Sequence, residues 1–164
     1  MTTTIKLLGN QHQQVLARLA AVEAQINAQV CDPDLAGFAA YLEDEVVCHF
    51  IIEEEALFPI LARHLSLTEG PLAVMNAEHA VFRKLLSGLT TALNAGDRLG
   101  QLAQTEELIG LLRTHIAKED HVLFPMAVRL LSDEEQREAD RRAAALNTAT
   151  PPQPARTTAA VSQE

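Results

Sequence analysis

The sequence predicts an all-α protein: an up-down-up-down antiparallel four-helix bundle with a short C-terminal helix and a disordered tail. Two observations predict this fold. Apolar residues recur at alternating spacings of three and four along four long stretches, which is the pattern of one face of an α-helix. The connections between these stretches are short, and short connections place consecutive long helices side by side in opposite directions. A chain of 164 residues with 48% hydrophobic content is large enough for one domain with a substantial core.

The first two helices are predicted from about Thr4 to Val30 and from the 31–34 turn to about His64. His12 fills the one gap in the apolar stripe of the first helix, so we expect its imidazole to point inward. In the turn, we expect Asp32 to cap the second helix and Pro33 to be its first residue. The expected inner face of that helix consists of Leu35, Phe38, Leu42, Val46, His49, Glu53, Leu57 and Ile60.

The third helix is predicted to begin at Pro71 and to carry His79 at a core position. Gly96 is expected to stop this helix, and Asp97 to cap the fourth, which runs to about Leu131. The expected inner face of the fourth helix consists of Leu102, Leu108, Leu112, His115, Glu119, Val122 and Met126.

The C-terminal part of the chain is predicted to contain a fifth, shorter helix. Ser132 and Glu135 have the spacing of a capping box, which favours a helix from there to about Leu146. The residues that follow are mostly Thr, Pro, Ala and Gln and have little to bury. We therefore expect a bundle domain over residues 1–146 and a disordered tail over 147–164.

One stretch of the sequence occurs twice, at residues 49–59 and 115–125. Both copies have a histidine, a glutamate four residues later, and Leu-Phe-Pro at the same offset: HFIIEEEALFP and HIAKEDHVLFP. Residues four apart lie on one face of a helix, so the imidazole and the carboxylate of each copy can bind the same metal or two adjacent metals. Each proline is predicted to end or bend its helix just beyond this pair.

The histidines of the four helices are expected to lie in one layer. With a rise of about 1.5 Å per residue, His12 and His49 fall at nearly the same height when counted from the turn between their helices. The heights of His79 and His115, counted from the turn between their helices, agree within the uncertainty of where those helices end. Two buried glutamates in this layer would repel each other unless they were protonated or bound to cations.

A metal centre is therefore the favoured interpretation, and a metal-free bundle with a structural histidine cluster is the alternative. The candidate metal ligands are His12, His49, Glu53, His79, His115 and Glu119. Imidazole and carboxylate donors without a thiolate suit iron or manganese better than structural zinc. Inward carboxylates and histidines in a helix bundle are typical of di-iron sites.

Composition excludes several classes of partner. The net charge of −9, the 4% aromatic content and the lack of tryptophan argue against binding of nucleic acid or of anionic membranes. The sequence has neither an apolar run of the roughly 18 residues that a membrane span needs nor a signal-peptide core, so we expect a cytoplasmic protein. Two cysteines, Cys31 and Cys48, do not indicate a disulfide framework and are expected to be small buried side chains.

The sequence resembles the hemerythrin-like (HHE cation-binding) family over about residues 8–130. The motifs that carry the resemblance are His12, His49-x-x-x-Glu53 with Leu57-Phe58-Pro59, Glu78-His79, and His115-x-x-x-Glu119 with Leu123-Phe124-Pro125. The resemblance implies a four-helix bundle around two non-haem iron ions. It also implies that two carboxylates bridge the irons, together with an oxo or hydroxo group.

The ligand set is more similar to that of bacterial proteins that repair iron centres than to that of oxygen-carrying hemerythrins. The oxygen carriers have a second histidine one turn after the ligand of the third helix, where this chain has Arg83. They also bridge through an aspartate at the offset of Asp120. We predict Glu119 as the bridge, because its spacing matches that of Glu53, and Asp120 as either an acceptor for a ligand histidine or a surface charge.

Other polar residues near the motifs receive separate expectations. Glu78 is expected either to accept a ligand N–H, to line a channel for iron, or to be solvated. Glu54 and Glu55 are expected to be solvated, and Arg83 to pair with an unidentified carboxylate. The off-layer histidines, His64 and His121, are expected at the surface.

The expected function is that of a di-iron protein that binds or reacts with small oxidants: oxygen, peroxide or nitric oxide. It would act in sensing, scavenging or stress response. The alternative is iron storage or donation for the repair of damaged iron centres. Whether the protein is an enzyme stays open at this point.

Overall fold

The structure, a computed structural model, describes residues 3–149, and all the regular structure in that range is helical. The five helices are α1 (Thr3–Asn27), α2 (35–61), α3 (Pro71–Ala95), α4 (98–130) and α5 (Asp133–Ala149). The all-α prediction is therefore confirmed. Most of the predicted tail, from residue 150 onward, lies outside the described residues, and α5 continues slightly beyond its predicted end. None of the described helices combines the length and apolar character of a membrane span.

The start of α2 differs from the prediction. Asp34, not Asp32, is the N-cap, and its carboxylate accepts a hydrogen bond from the backbone N–H of Gly37 at 2.8 Å. Leu35, which follows Asp34 directly, is the first helical residue. The connection before this cap leaves Cys31 exposed, against expectation, whereas Cys48 within α2 is half-buried.

The other helix ends follow the predicted turn chemistry. Pro71 begins α3, and Gly96 ends it in the left-handed conformation, at a φ of 66° that favours glycine. Asp97 caps α4 by accepting from the N–H of Gly100 at 3.1 Å. Before α5, the side chain of Glu135 accepts from the N–H of Ser132 at 2.9 Å, and Ser132 Oγ accepts from the N–H of Glu135 at 3.4 Å. This is the predicted capping box.

The fifth helix is attached to the first two by polar contacts. The carboxylate of Asp140 accepts hydrogen bonds from the backbone N–H of Thr4 at 2.8 Å and from its hydroxyl at 2.6 Å. Arg63, just after α2, forms a bidentate pair with Glu138 at 2.8 and 2.9 Å. Ala139 is fully buried, so the small side chains of α5 pack closely on the core.

Two apolar clusters form the core, and the predicted histidine layer separates them. The first cluster includes Ile5, Leu8, Leu57, Leu72, Met75, Leu123 and Ala127. The second includes Val15, Leu19, Phe38, Leu42, Phe82, Leu86, Leu108 and Leu112. On α1, His12 lies between the residues of the first cluster and those of the second, and on α3 His79 does the same. The polar layer is therefore enclosed by apolar side chains on both sides.

The two Leu-Phe-Pro segments do not end their helices. Instead, the leucine of each segment is the last residue of a wide π-helical turn, Glu53–Leu57 in α2 and Glu119–Leu123 in α4. The N–H of Phe58 bonds to the carbonyl of Glu53, and that of Phe124 to the carbonyl of Glu119, five residues back in both cases. A proline follows each phenylalanine, has no N–H to donate, and would clash with the carbonyl four residues before it. The π turn accommodates the proline, and helix continues beyond it.

This π turn explains why the predicted inner face of α4 is wrong after Glu119. Val122 is 46% exposed and Met126 is only partly buried, whereas Leu123 is 1% and Ala127 0% exposed. A π turn contains one extra residue, which rotates the following side chains by about 100° relative to an unbroken α-helix. The buried positions therefore move one residue along the chain.

A pair of adjacent substitutions tests this register. We expect Leu123→Ala to lower the free energy of unfolding by about 2–5 kcal/mol, because it leaves a cavity beside the first cluster. Val122→Ala is the matched control and should change it by no more than about 0.5 kcal/mol. Chemical denaturation followed by circular dichroism measures both. A larger loss for Val122→Ala than for Leu123→Ala would contradict the register.

Candidate metal centre

The structure brings all six predicted ligand side chains together in the core. None of them is more than 3% exposed. They lie on four helices: His12 on α1, His49 and Glu53 on α2, His79 on α3, and His115 and Glu119 on α4. The four histidines therefore lie in one layer of the core, at matching heights along their helices, as the sequence predicted.

Each histidine directs its Nε2 towards one of the two carboxylates. Glu53 Oε1 lies 3.2 Å from His49 Nε2, and Glu53 Oε2 lies 3.3 Å from His79 Nε2. Glu119 Oε2 lies 3.1 Å from His12 Nε2 and 3.3 Å from His115 Nε2. Each glutamate therefore lies between histidines of two different helices.

The donor atoms fall into two groups, each small enough to hold a metal ion. Within the described residues, the ligand atoms of one group lie within 4.8 Å of one another, as do those of the other. The first group consists of His12, His49, Glu53 and Glu119, and the second of Glu53, His79 and His115. Glu53 belongs to both groups, which is the position of a carboxylate that could join two ions.

The outer nitrogen of every histidine in the layer has its own hydrogen-bond acceptor. The Nδ1 atoms donate at distances of 2.7 to 3.0 Å. The acceptors of His12, His49, His79 and His115 are, in that order, Asp120, Gln11, Glu54 and Glu78. A proton on Nδ1 leaves the inner Nε2 with a lone pair, which is the tautomer that a metal ion needs.

Two of the acceptors are themselves paired with cations. The second oxygen of Glu54 accepts from Arg83 Nη2 at 2.8 Å, and Glu78 pairs with Lys118. The expectation that Glu54 is solvated is therefore wrong, because its side chain is held between His79 and Arg83. This contact also identifies the carboxylate partner of Arg83.

The structure also shows the environment of the other polar residues near the motifs. Asp120 and Glu78, for which the sequence left alternatives open, accept ligand N–H groups. His64 and His121 are exposed as expected, and His64 pairs with Glu135 at 2.8 Å.

The sequence did contain a signal for these acceptors, in the doubled motif itself. In both copies an acid directly follows the ligand glutamate, as Glu54 or Asp120. Each of these acids accepts from the single histidine of a neighbouring helix. A polar residue likewise precedes each single histidine, and it accepts from the histidine of the doubled motif. The repeat therefore includes the acceptors as well as the ligands.

Phenylalanine rings pack against the histidines of the layer. The ring of Phe50 stacks on His79 with a centroid distance of 3.7 Å, and Phe124 stacks on His12 at 5.3 Å. Phe58 stacks on the same His79 at 5.7 Å. These contacts restrict the orientation of the imidazoles and exclude water from them.

Burial and neighbouring charges both shift the pKa values of the layer, and their balance differs from one residue to the next. Burial dominates at His49 and lowers its pKa to about 3, so this imidazole stays neutral. At His115 burial is outweighed by Glu119 and Glu53, which raise its pKa to about 9. Burial and the charge of Glu119 raise the pKa of Glu53. Burial acts the same way on Glu119, but His115 and His12 more than offset it and hold the pKa of Glu119 below its usual range.

The unpaired polar atoms show that the layer fits a metal centre. Among residues 3–149, both carboxylate oxygens of Glu53 and of Glu119 are buried without a hydrogen bond, as are the Nε2 atoms of His79 and His115. Buried polar atoms are rarely left without a partner, since each costs about 1–3 kcal/mol and a charged group costs more. A cation satisfies the oxygens and the nitrogens together. The mixed imidazole and carboxylate donors suit a metal such as iron.

Comparison of the sequence with known proteins identifies a family, independently of the geometry of the layer. The family model described as the hemerythrin HHE cation binding domain matches residues 3–127. A protein from Cronobacter sakazakii named iron-sulfur cluster repair protein YtfE is 31% identical over 103 residues, which cover 57% of this chain and 47% of that protein. Its namesake from Yersinia pseudotuberculosis is 28% identical over 134 residues, covering 73% of this chain and 61% of that protein.

The chain thus spans between about half and three fifths of the length of the curated relatives it matches. No solved structure gives a significant match.

Removing the buried charge of Glu53 tests whether the layer is built for metal. We expect Glu53→Gln to raise the unfolding free energy of the metal-free protein by about 1–3 kcal/mol at neutral pH, because burial and the charge of Glu119 disfavour an ionised carboxylate at this position. Added metal should stabilise the wild type, by about 4 kcal/mol at a thousandfold excess over Kd, and stabilise this variant less. Thermal and chemical unfolding with and without metal measure both effects.

The exposed Glu55→Gln is the matched control, because it makes the same substitution on the surface of α2. It should change stability by no more than about 0.5 kcal/mol and keep the response to metal. A metal-free Glu53→Gln variant less stable than the wild type would show that the buried carboxylate of Glu53 is not unfavourable.

Proposed function

Because the chain belongs to the hemerythrin HHE cation-binding family, we propose that it is a non-haem di-iron protein that binds or reacts with small oxidants: oxygen, peroxide or nitric oxide. The proposed metal ligands are His12, His49, Glu53, His79, His115 and Glu119. Glu53 and Glu119 are the proposed bridges. The proposed roles are sensing, scavenging or response to oxidative stress.

The observation that carries this proposal is the position of Glu53 between two groups of donors. Its two oxygens face different histidines, His49 on one side and His79 on the other. One carboxylate with its oxygens directed to two donor groups supports a pair of ions held close together. Glu119 supports the same interpretation, since one of its oxygens lies near both His12 and His115.

We propose the up-down-up-down antiparallel bundle as the topology around this pair. The order of the two apolar clusters along the chain supports it. On α1 and α3, residues of the first cluster precede the histidine layer. On α4 the order is reversed, because Leu108 and Leu112 of the second cluster precede His115, and Leu123 of the first cluster follows Glu119. The same holds for α2, in which Phe38 and Leu42 come before His49 and Leu57 comes after Glu53. Consecutive helices therefore pass the layer in opposite order.

Burial and apolar surroundings favour small ligands. The six donor residues are at most 3% exposed, and phenylalanine rings pack on the imidazoles. A large or strongly charged substrate would need to displace these rings and lose its hydration. Small, weakly hydrated molecules such as oxygen or nitric oxide would not.

In this proposal the chain supplies position, charge and shielding. When bound, iron provides the change between ferrous and ferric states and open coordination positions for an exogenous ligand. The carboxylates of Glu53 and Glu119 offset the cationic charge in a core that would otherwise exclude it. The Nδ1 hydrogen bonds hold each imidazole in the tautomer and orientation that present Nε2 inward. Phe50 and Phe124 limit access of water.

Iron storage or donation is the second candidate function. The observation that favours it is the name of the relatives, which describes them as iron-sulfur cluster repair proteins. A protein in this role would release iron to an acceptor rather than turn over an oxidant. Since the chain spans only part of those relatives, their whole activity is not transferred to it.

The bridging assignment predicts loss of metal from a double variant. We expect Glu53→Ala with Glu119→Ala to lose most or all bound iron, because each bridge contacts donors of two helices. Elemental analysis after anaerobic reconstitution and desalting measures the iron content. Glu55→Ala with Glu106→Ala, both exposed, should retain the wild-type content. Full retention of iron by the core variant would refute the bridges.

The two candidate functions predict different kinetics for the reduced, iron-bound protein. An oxidant-reacting protein should show fast changes in its visible spectrum on mixing with peroxide or nitric oxide, and should keep its iron. An iron donor should transfer iron to an apo iron–sulfur protein faster than it reacts with peroxide. Stopped-flow spectroscopy and iron-transfer assays on the same preparation distinguish them. Slow reaction with oxygen, peroxide and nitric oxide alike would exclude the first function.

A further inference from the structure

The four outer hydrogen bonds of the candidate centre differ in one respect. Three of the four ligand histidines donate Nδ1–H to a carboxylate, of Asp120, Glu54 or Glu78. His49 donates instead to a neutral amide, the Oε1 of Gln11, at 2.9 Å. The length of this bond is ordinary, so the difference lies in charge and not in geometry.

The internal repeat shows which residue would be the counterpart of Gln11. Gln11 directly precedes His12, as Glu78 directly precedes His79. Each accepts from the histidine that opens the doubled motif, His49 in one half and His115 in the other. The two halves therefore have the same arrangement, with an amide in the first half at the position of a carboxylate in the second.

An amide in place of a carboxylate changes how strongly the imidazole of His49 donates electrons to a metal. A carboxylate that accepts from Nδ1–H draws the proton away from the ring and makes Nε2 a more basic metal ligand. Hydrogen bonds to a charged acceptor are about twice as strong as neutral ones. An amide oxygen fixes the same tautomer and ring orientation without that charge. His49 is thus oriented as well as the other histidines but receives less electron density.

We propose that Gln11 is a positioning residue that keeps His49 the weakest imidazole donor of the centre, so that metal held through His49 is released faster than a carboxylate at position 11 would allow. The proposal rests on the proposed role of the six side chains as metal ligands. It predicts that the bond between His49 and the metal is the first of the histidine–metal bonds to be exchanged.

Gln11→Glu tests this directly, because glutamate has the same length and places a carboxylate oxygen where the amide oxygen lies. Gln11 is half-buried, so the new charge stays partly solvated. The matched control is Gln13→Glu, which adds the same charge at an exposed position of α1. The measurement is the rate at which ferrous-iron protein gives up metal to an excess of a coloured chelator.

We expect Gln11→Glu to slow the release of at least one iron by about tenfold, and Gln13→Glu to leave it within about twofold of the wild type. Asp120→Asn makes the reverse exchange at His12 and should speed release by about tenfold. Nitrogen-15 NMR of the zinc-bound protein supplies a second readout. In Gln11→Glu the Nδ1–H proton of His49 should move downfield, while that of His115 stays in place.

The outcomes separate this inference from the function on which it rests. If the wild-type protein takes up no metal, the proposed function fails. If it binds metal, but Gln11→Glu releases it as fast as Gln13→Glu does, the role of Gln11 is refuted and the metal centre stands. Faster release from Gln11→Glu than from the wild type would also refute it.

Discussion

Two carboxylates buried in one layer of the core are the constraint on which the rest of the structure depends. Glu53 and Glu119 are fully buried, and their oxygens have no hydrogen-bond partner among the described residues. Such a layer is unfavourable in a metal-free core, since repulsion adds to the cost of desolvation. The four surrounding imidazoles compensate it only in part, as the opposite pKa shifts of the two glutamates indicate. The fold provides an enclosure of apolar side chains around this layer, to which bound metal is the natural complement.

The outer hydrogen bonds connect this layer to the surface. Every histidine of the layer donates to an acceptor on a different helix, so the layer also links the helices to one another. Arg83 and Lys118 extend two of these links to solvent by pairing with Glu54 and Glu78. Stability and ligand orientation therefore depend on the same contacts. A substitution in an acceptor is expected to act on both, which is why matched surface controls are needed to separate them.

Much of the fold and of the site could be predicted from the sequence, because both follow from periodicity. The single gap in the stripe of α1 placed His12 in the core, and counting from the turns brought the four histidines to one level. The errors have local causes. Val122 was placed inward because an α-helical period was continued through a π turn. Glu54 was placed in solvent because its partner, His79, lies on another helix, and helical geometry alone does not show such contacts.

The most direct test of the account is the metal content of aerobically purified protein, measured together with its ultraviolet–visible spectrum. A di-iron centre predicts about two iron ions per chain and the charge-transfer bands of an oxo- or hydroxo-bridged ferric pair. Both signals should be absent from the variant in which Glu53 and Glu119 are replaced by alanine. Protein that contains no iron, or a single zinc ion per chain, would contradict the di-iron centre and with it the proposed redox chemistry.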